Sequence, residues 1–442
     1  MNRTAIVCTS IASLALLAAA ALLAGGGGPL NPPAGPVAST YKTLTEVEPR
    51  IAISTLNTPG DADSLFKISQ PGSYYLTANI TGVNSKHGIE VGASGVTLDL
   101  NGFELLGVAG SFDAVSVVAT SSLTNIAVVN GSVRNWGRDG INLAESIIVG
   151  CRVEGVRATG NTRIGIYASL NSQVSRCSGS GGQYGILVRA GSTLSDCSAS
   201  GASITGIYAE TGSSLTNCSA YANTGDGITA LAASTVTNCS ANANTFNGIL
   251  VDRGTTVVNC TVSGNMGDGV RAADGSTVTD CSANQNMGVG IGAGYGCAVT
   301  NCTAAFNNRE GISVASGSTV ADCNARLNVL DGIWCSHGCV IRGNICTING
   351  NGGDGAGIHA TSGDARIENN TCTSADRGID VDSLGNIIIG NTCSGNNSNW
   401  EIAIGNSVGP IVVAGSNAAV ISGIGPVAST LGSTDPHANF SY

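Results

Sequence analysis

The sequence predicts an all-β solenoid, a rod of short coils stacked along one axis. Three observations predict it. A Gly-Ile or Gly-Val step recurs every 21 residues through Gly206, Gly227, Gly248, Gly269, Gly290, Gly311 and Gly332. Cys and Asn residues recur in step with it. Between these markers the chain alternates apolar and polar residues in runs too short for a helix, bounded by Gly, Asn, Asp and Ser.

The repeat extends beyond its regular centre. Copies of the Gly step stand at Gly88, Gly140, Gly165 and Gly185, and again at Gly357 and Gly378. Cys177, Cys197, Cys218, Cys239, Cys260, Cys281, Cys302 and Cys323 hold one position of the unit, and Asn344, Asn370 and Asn391 then take that position over. A third series is Asn223, Asn244, Asn265, Asn286, Asn307 and Asn328. One unit of 21 residues cannot bury a core by itself, but it can form a triangular coil of three short strands. Stacked coils pair each strand in parallel with its copies above and below. Roughly fourteen coils at a spacing of about 4.8 Å give a rod of about 65–70 Å. In the unit that begins at Gly227, Ile228 and Ala230 are expected to point inward and Thr229 outward. Val236, Cys239 and Ala241 line the other two strands. The Asn series is expected to sit in a turn and to hydrogen-bond along the stack.

Composition agrees. Only 11% of residues are charged and 4% aromatic, with 63 Gly, yet 42% are hydrophobic and periodic, which excludes a disordered low-complexity chain. The net charge of −10 and the lack of any Lys/Arg run exclude nucleic acid as a partner.

The expected organisation has five parts. Residues 1–24 read as an export signal: Arg3 precedes the apolar stretch Ala5–Ala24, with Ala19 and Ala21 as a small-x-small cleavage site. An uncleaved membrane anchor is the second reading, and the only route to a membrane. Residues 25–41 form a Pro/Gly linker. Residues 42–86 cap the first coil, with strands at 66–68 and 74–76. Residues 87–406 form the coils, and 407–442 cover the last one. The protein is thus expected outside the cell, at its surface or in a periplasm.

This pattern resembles the right-handed parallel β-helix proteins, the pectate-lyase-like superfamily. The likeness rests on the opening coil Val96-Thr-Leu-Asp-Leu-Asn-Gly-Phe103, on the inward Asn positions 344, 370 and 391, and on the repeat itself. The resemblance implies a right-handed parallel β-helix and places any sugar groove on the outer face of the first strand. It does not imply an activity, because the scaffold carries lyases, hydrolases, epimerases and adhesins alike. The Asn-Thr-Asp, Gly-His-Gly and Arg-Ile-Lys motifs of the polygalacturonases are missing, and so are the calcium-binding acids of the pectate lyases.

The cysteines number 16, or 15 without Cys8. Stacked Cys would have Cβ atoms about 4.8 Å apart, beyond disulfide reach, so buried thiols are the favoured reading. Cys335, His337 and Cys339 form a C-x-H-x-C group, but Cys335 falls on an inward position, so a metal is not expected there. Asp139, Asp226, Asp268, Glu310 and Asp331 precede the Gly step. Most stand two coils apart, too far to share a calcium ion, and turn-forming side chains are the favoured role. No cofactor or metal is expected. Asn217, Asn238, Asn259 and Asn301 match the glycosylation sequon only because the repeat recurs.

The outward position of the first strand reads Tyr167, Leu187, Tyr208, Thr229, Leu250, Arg271, Gly292, Ser313, Trp334, His359 and Asp380, with Asp382 two residues further on. Aromatic rings stack on sugars, which nominates Trp334, Tyr208 and Tyr167, with Arg271, as glycan-binding residues. His359, Asp380 and Asp382 on neighbouring coils could serve as acid, base or nucleophile in glycoside chemistry. An ordinary solvated face accounts for the same residues. Arg271 stands about four coils, near 19 Å, from Asp380. With no enzyme motif and insertions of only a few residues, the favoured function is an exported surface or envelope protein. It binds a polysaccharide, cell-surface glycan or protein partner without turnover. The alternative is a carbohydrate-active enzyme, a polysaccharide lyase or glycoside hydrolase, centred on His359, Asp380 and Asp382.

Overall fold

A computed structural model describes residues 48–117, 122–144, 148–413 and 433–442. The expected export signal and linker, and parts of both expected end caps, lie outside the described residues. Every regular element among the described residues is a β-strand, so no helix there is long and apolar enough to cross a membrane.

One repeat shows how a coil is built. Its strands are Asp226–Ala230, Thr235–Thr237 and Ser240–Asn242. Ile228, Ala230, Val236 and Ala241 are fully buried, and Cys239 is 2% exposed. Thr229 faces outward as expected, although Tyr208 and Leu250, its register partners on the flanking coils, leave it only 7% exposed. The corner between the second and third strands is a single left-handed residue, Asn238, with φ 53°. Asn217, Asn259 and Asn301 hold the same corner at φ 51–53°. Asn tolerates this conformation better than most residues, which explains the recurring sequon.

The coils stack in parallel register. The first strands form a sixteen-stranded sheet from Ser64–Ile68 to Ser398–Ile402, and the other two faces merge into one 32-stranded sheet. The chain makes about 17 turns, more than the fourteen expected. The difference arises partly at the N-terminal end, where Ser64–Ile68 pairs with His87–Val91 and Gly72–Tyr75 with Val96–Asp99. Ser64–Ile68 and Gly72–Tyr75 carry no Gly-Ile step, so the periodicity did not count them. At the other end Asn439–Ser441 pairs with Thr392–Ser394 and with Ile411–Val413.

The Gly and Asn series explain each other. A Cβ on Gly248 would lie 2.6 Å from Asn265 Nδ2 and 2.7 Å from the Gly269 carbonyl oxygen of the next coil. Asn265 fills that space for a reason. Its Nδ2 donates to the Ala241 carbonyl (3.0 Å) and to Asn286 Oδ1 (2.9 Å), while its Oδ1 accepts the Asn244 backbone N–H (3.0 Å). The ladder runs unbroken from Asn223 to Asn349 and satisfies turn N–H groups that no water reaches. A second ladder joins Asn344, Asn370, Asn391 and Asn439.

The Cys series continues the second ladder upward. Asn344 Oδ1 accepts the Cys323 N–H at 2.9 Å, and Cys323 Sγ accepts the Cys302 N–H at 3.4 Å. All described cysteines are free and buried, as expected for small core residues. Cys335 and Cys339 are 0% exposed, whereas His337 lies outside the core, 3.6 Å from Asp364, so the C-x-H-x-C group is split between core and surface. The acids that precede the Gly step bridge coils. Asp226 Oδ1 accepts the Asn247 N–H (2.9 Å), Asp268 Oδ1 that of Val289 (2.9 Å) and Asp331 Oδ1 that of Ala356 (2.7 Å).

Candidate functional site

Because the first sheet is in register, its outward residues form one file along the rod. Tyr167 pairs with Leu187, Leu187 with Tyr208, and the file continues through Thr229, Leu250, Arg271, Gly292, Ser313, Trp334 and His359 to Asp380. It then extends to Glu401. Tyr167, Tyr208 and Trp334 are half-buried, so each ring is held with part of it open to ligand. Tyr208 is braced edge-on by Tyr184, with ring centroids 5.7 Å apart.

The structure brings His359, Asp380 and Asp382 together. His359 Nε2 lies 3.1 Å from Asp382 Oδ2 and 3.8 Å from Asp380 Oδ2. Two residues that the sequence did not nominate for this site complete it. Asp331, from the coil-bridging acids, holds His359 Nδ1 at 3.1 Å. Arg377 holds Asp380 Oδ2 at 2.6 Å, Asp354 at 2.5 Å and Glu401 at 2.8 Å. Arg377 stands three residues before the outward file, in the position that Asp331 occupies two coils earlier. Only the run of acids at that position could have pointed to it.

Electrostatics follow from this packing. Burial works to lower the His359 pKa, but the Asp331 hydrogen bond and charge, with Asp382 and Asp380 behind them, lift it from 6.5 to about 9. The ring is therefore an imidazolium at neutral pH. Burial raises Asp380, which is 3% exposed, while His359 and Arg377 pull it back. One oxygen or nitrogen from each of His359, Asp380 and Asp382 lies within 4.8 Å of the others, and the same holds for Asp61, Asp63 and Glu90. Both groups already have a protein cation. Arg377 serves the first, and Lys67 Nζ lies 2.6 Å from Asp61 and 2.8 Å from Glu90 in the second.

Arg271 is not part of this cluster. Five register steps separate it from Asp380, one more than expected, and its guanidinium pairs with Asp268 at 3.1 Å. It borders a separate cleft of about 430 Å³, where Gly292 and Gly294 leave the face without side chains. The file also continues above Tyr167, through Asn142, Ser116 and Glu90 to Lys67. A further cleft of about 480 Å³ opens there.

Comparison with known proteins places the chain. The family model for the right-handed β-helix region matches residues 113–257 and 251–359. No curated protein sequence matches it. Among solved structures, the A-module of the Azotobacter vinelandii mannuronan C-5 epimerase AlgE4 is 14% identical, with 76% of this chain and 90% of that one covered and a TM-score of 0.43. The receptor-binding domain of the siphovirus 9NA tailspike is 11% identical, with 75% of each chain covered and a TM-score of 0.40. The Agl-KA catalytic domain is 13% identical over 67% of this chain and 59% of that one, at a TM-score of 0.36.

Proposed function

The chain belongs to the right-handed β-helix family, and we propose that it is an exported protein that binds a glycan lengthwise along the outer face of its first sheet, without turning it over. The observation that carries this reading is the in-register file. It sets Tyr167, Tyr208 and Trp334 on one face, with one polar cleft reaching Tyr167 and another between Tyr208 and Trp334. Aromatic faces stack on sugar rings, and the intervening carboxylates and guanidinium groups hydrogen-bond hydroxyls. Export rests on Arg3 and the apolar stretch Ala5–Ala24.

The absence of turnover is argued from the cluster itself. A glycosidase needs one free acid and one free base or nucleophile. Here His359 is bound on both ring nitrogens and Asp380 is tied to Arg377. These contacts make a closed ion-pair network that fixes the end of the binding face.

A second reading has its own observation. An imidazolium 3.1 Å from the exposed Asp382 is an acid beside a carboxylate, which is the pairing a carbohydrate-active enzyme uses. A turnover screen decides between the two. The purified chain is mixed with neutral and acidic polysaccharides, and new reducing ends and unsaturated-uronate absorbance are followed. Retention of a glycan with no product supports binding. Product that disappears in Asp380→Ala and Asp382→Ala supports the enzyme.

A further inference from the structure

A second cleft opens at the N-terminal end of the same face. Its volume, about 480 Å³, lies in the range of small-molecule sites. Its lining includes Glu90, Ser116, Asn142 and Tyr167 from the outward file, with Arg138 and Arg163. The coils here are longer than in the centre, with 25–26 residues between equivalent positions, and they carry polar and charged groups where the central coils carry Leu and Thr.

One buried polar atom that lines this cleft has no partner. Ser116 is 6% exposed and its hydroxyl is unpaired. Asp139, fully buried and outside the lining, lies 3.7 Å from the lining Arg163 and anchors the Ile164 N–H at 3.0 Å. Native proteins rarely leave such an atom unsatisfied, and the Ser116 hydroxyl is placed to hydrogen-bond whatever fills the cleft. Donors are directed there too. His87 Nδ1 accepts the Asp113 N–H at 3.2 Å, which leaves Nε2 carrying the ring proton. The Arg138 guanidinium lies 4.0 Å over the Phe112 ring, and the stacking holds it at the cleft.

We infer that this cleft binds one neutral saccharide unit, as a second sugar site on the face. The inference rests on the glycan reading above and adds the substrate class. The argument is charge balance. An anionic group would meet Asp63, Glu90 and Asp113, and a cationic one would meet Arg138 and Arg163. A neutral ring, whose hydroxyls each donate and accept, matches both sets at once. The carboxylates and Ser116 accept from it, the guanidinium groups, Asn142 and His87 donate to it, and Tyr167 offers a ring face.

The chain has four histidines, and two of them report separately on the two ends of the face: His87 at this cleft and His359 at the other. The test follows their ring resonances by NMR in the full chain, assigned with His→Gln variants. The probes are neutral hexasaccharides (cellohexaose, maltohexaose, mannohexaose) and hexagalacturonate. A saturable shift of His87 by a neutral hexasaccharide is expected. Asn142→Ala and Arg163→Ala should each weaken it at least tenfold while the His359 response stays unchanged. Sugars that move His359 but never His87, or hexagalacturonate that moves His87 at lower concentration than every neutral probe, would overturn the inference and leave the glycan reading standing. If no polysaccharide or hexasaccharide is bound anywhere on the chain, the glycan reading falls and this inference with it.

Discussion

The Nδ1 atom of His359 lies 3.1 Å from Asp331 Oδ2, and Asp331 is itself anchored by the Ala356 backbone N–H at 2.7 Å. A residue that serves the stack thereby sets the charge of a residue on the face. The first prediction follows from it. His359 should titrate near pH 9, well above its usual 6.5, and Asp331→Asn should bring it back toward that value. An NMR titration of the ring protons measures both. A His359 that titrates near 6.5 in the parent contradicts the account.

The same shift predicts a pH dependence of stability. The folded-state pKa is raised above the unfolded value, so the contribution is fully present below pH 6.5 and is lost as pH rises through about 9. Its size is about 3 kcal/mol. His359→Gln should therefore lower the denaturant midpoint strongly at pH 6 and hardly at all at pH 10. Equal losses at both pH values would show that the ring acts through packing alone.

The pairing of Gly248 with Asn265 predicts two substitutions with a shared cause. Gly248→Ala drives a methyl against Asn265 Nδ2 and the Gly269 carbonyl, and should cost about 2–3 kcal/mol by overpacking. Asn265→Ala removes the acceptor of the buried Asn244 N–H and of the Asn244 side-chain amide, at about 1–3 kcal/mol for each group. A solenoid opens locally, so native-state hydrogen exchange across residues 241–290 is the measurement. Unchanged protection in either variant would sink this reading of the two ladders.

The thiols give a direct chemical check. All fifteen described cysteines are free and buried, so none should react with a thiol reagent in the native protein and all should react after unfolding in denaturant. Cys323→Asn should be tolerated within about 1 kcal/mol, because Asn344 below it already donates to and accepts from the same corner. A shortfall of reactive thiols in the unfolded, unreduced chain would reveal disulfides instead.

The sequence made the central coils legible because each buried contact there recurs at one spacing. Ile228, Val236 and Ala241 point inward as their alternation requires, and the file from Tyr167 to Asp380 was readable residue by residue. The N-terminal coils were read from Gly88 and Gly140, but their outward residues were not: steps of 25–26 residues carry Glu90 to Ser116 to Asn142, and a 21-residue ruler does not align them with Tyr167. Arg377 was hidden for another reason. It lies off the outward file and reaches Asp380 by folding its side chain across three residues, a geometry that no periodicity records. The proximity of His359 to Asp382 was legible, whereas the ion pairs that close the cluster were not.

The measurement that tests the central claim most directly is equilibrium binding of the chain to immobilised polysaccharides, compared with Trp334→Ala and Tyr208→Ala. The account predicts that at least one glycan is retained by the parent and that each substitution weakens retention at least several-fold while thermal unfolding is unchanged. Failure of the parent to hold any glycan, or undiminished binding by both variants, would contradict it.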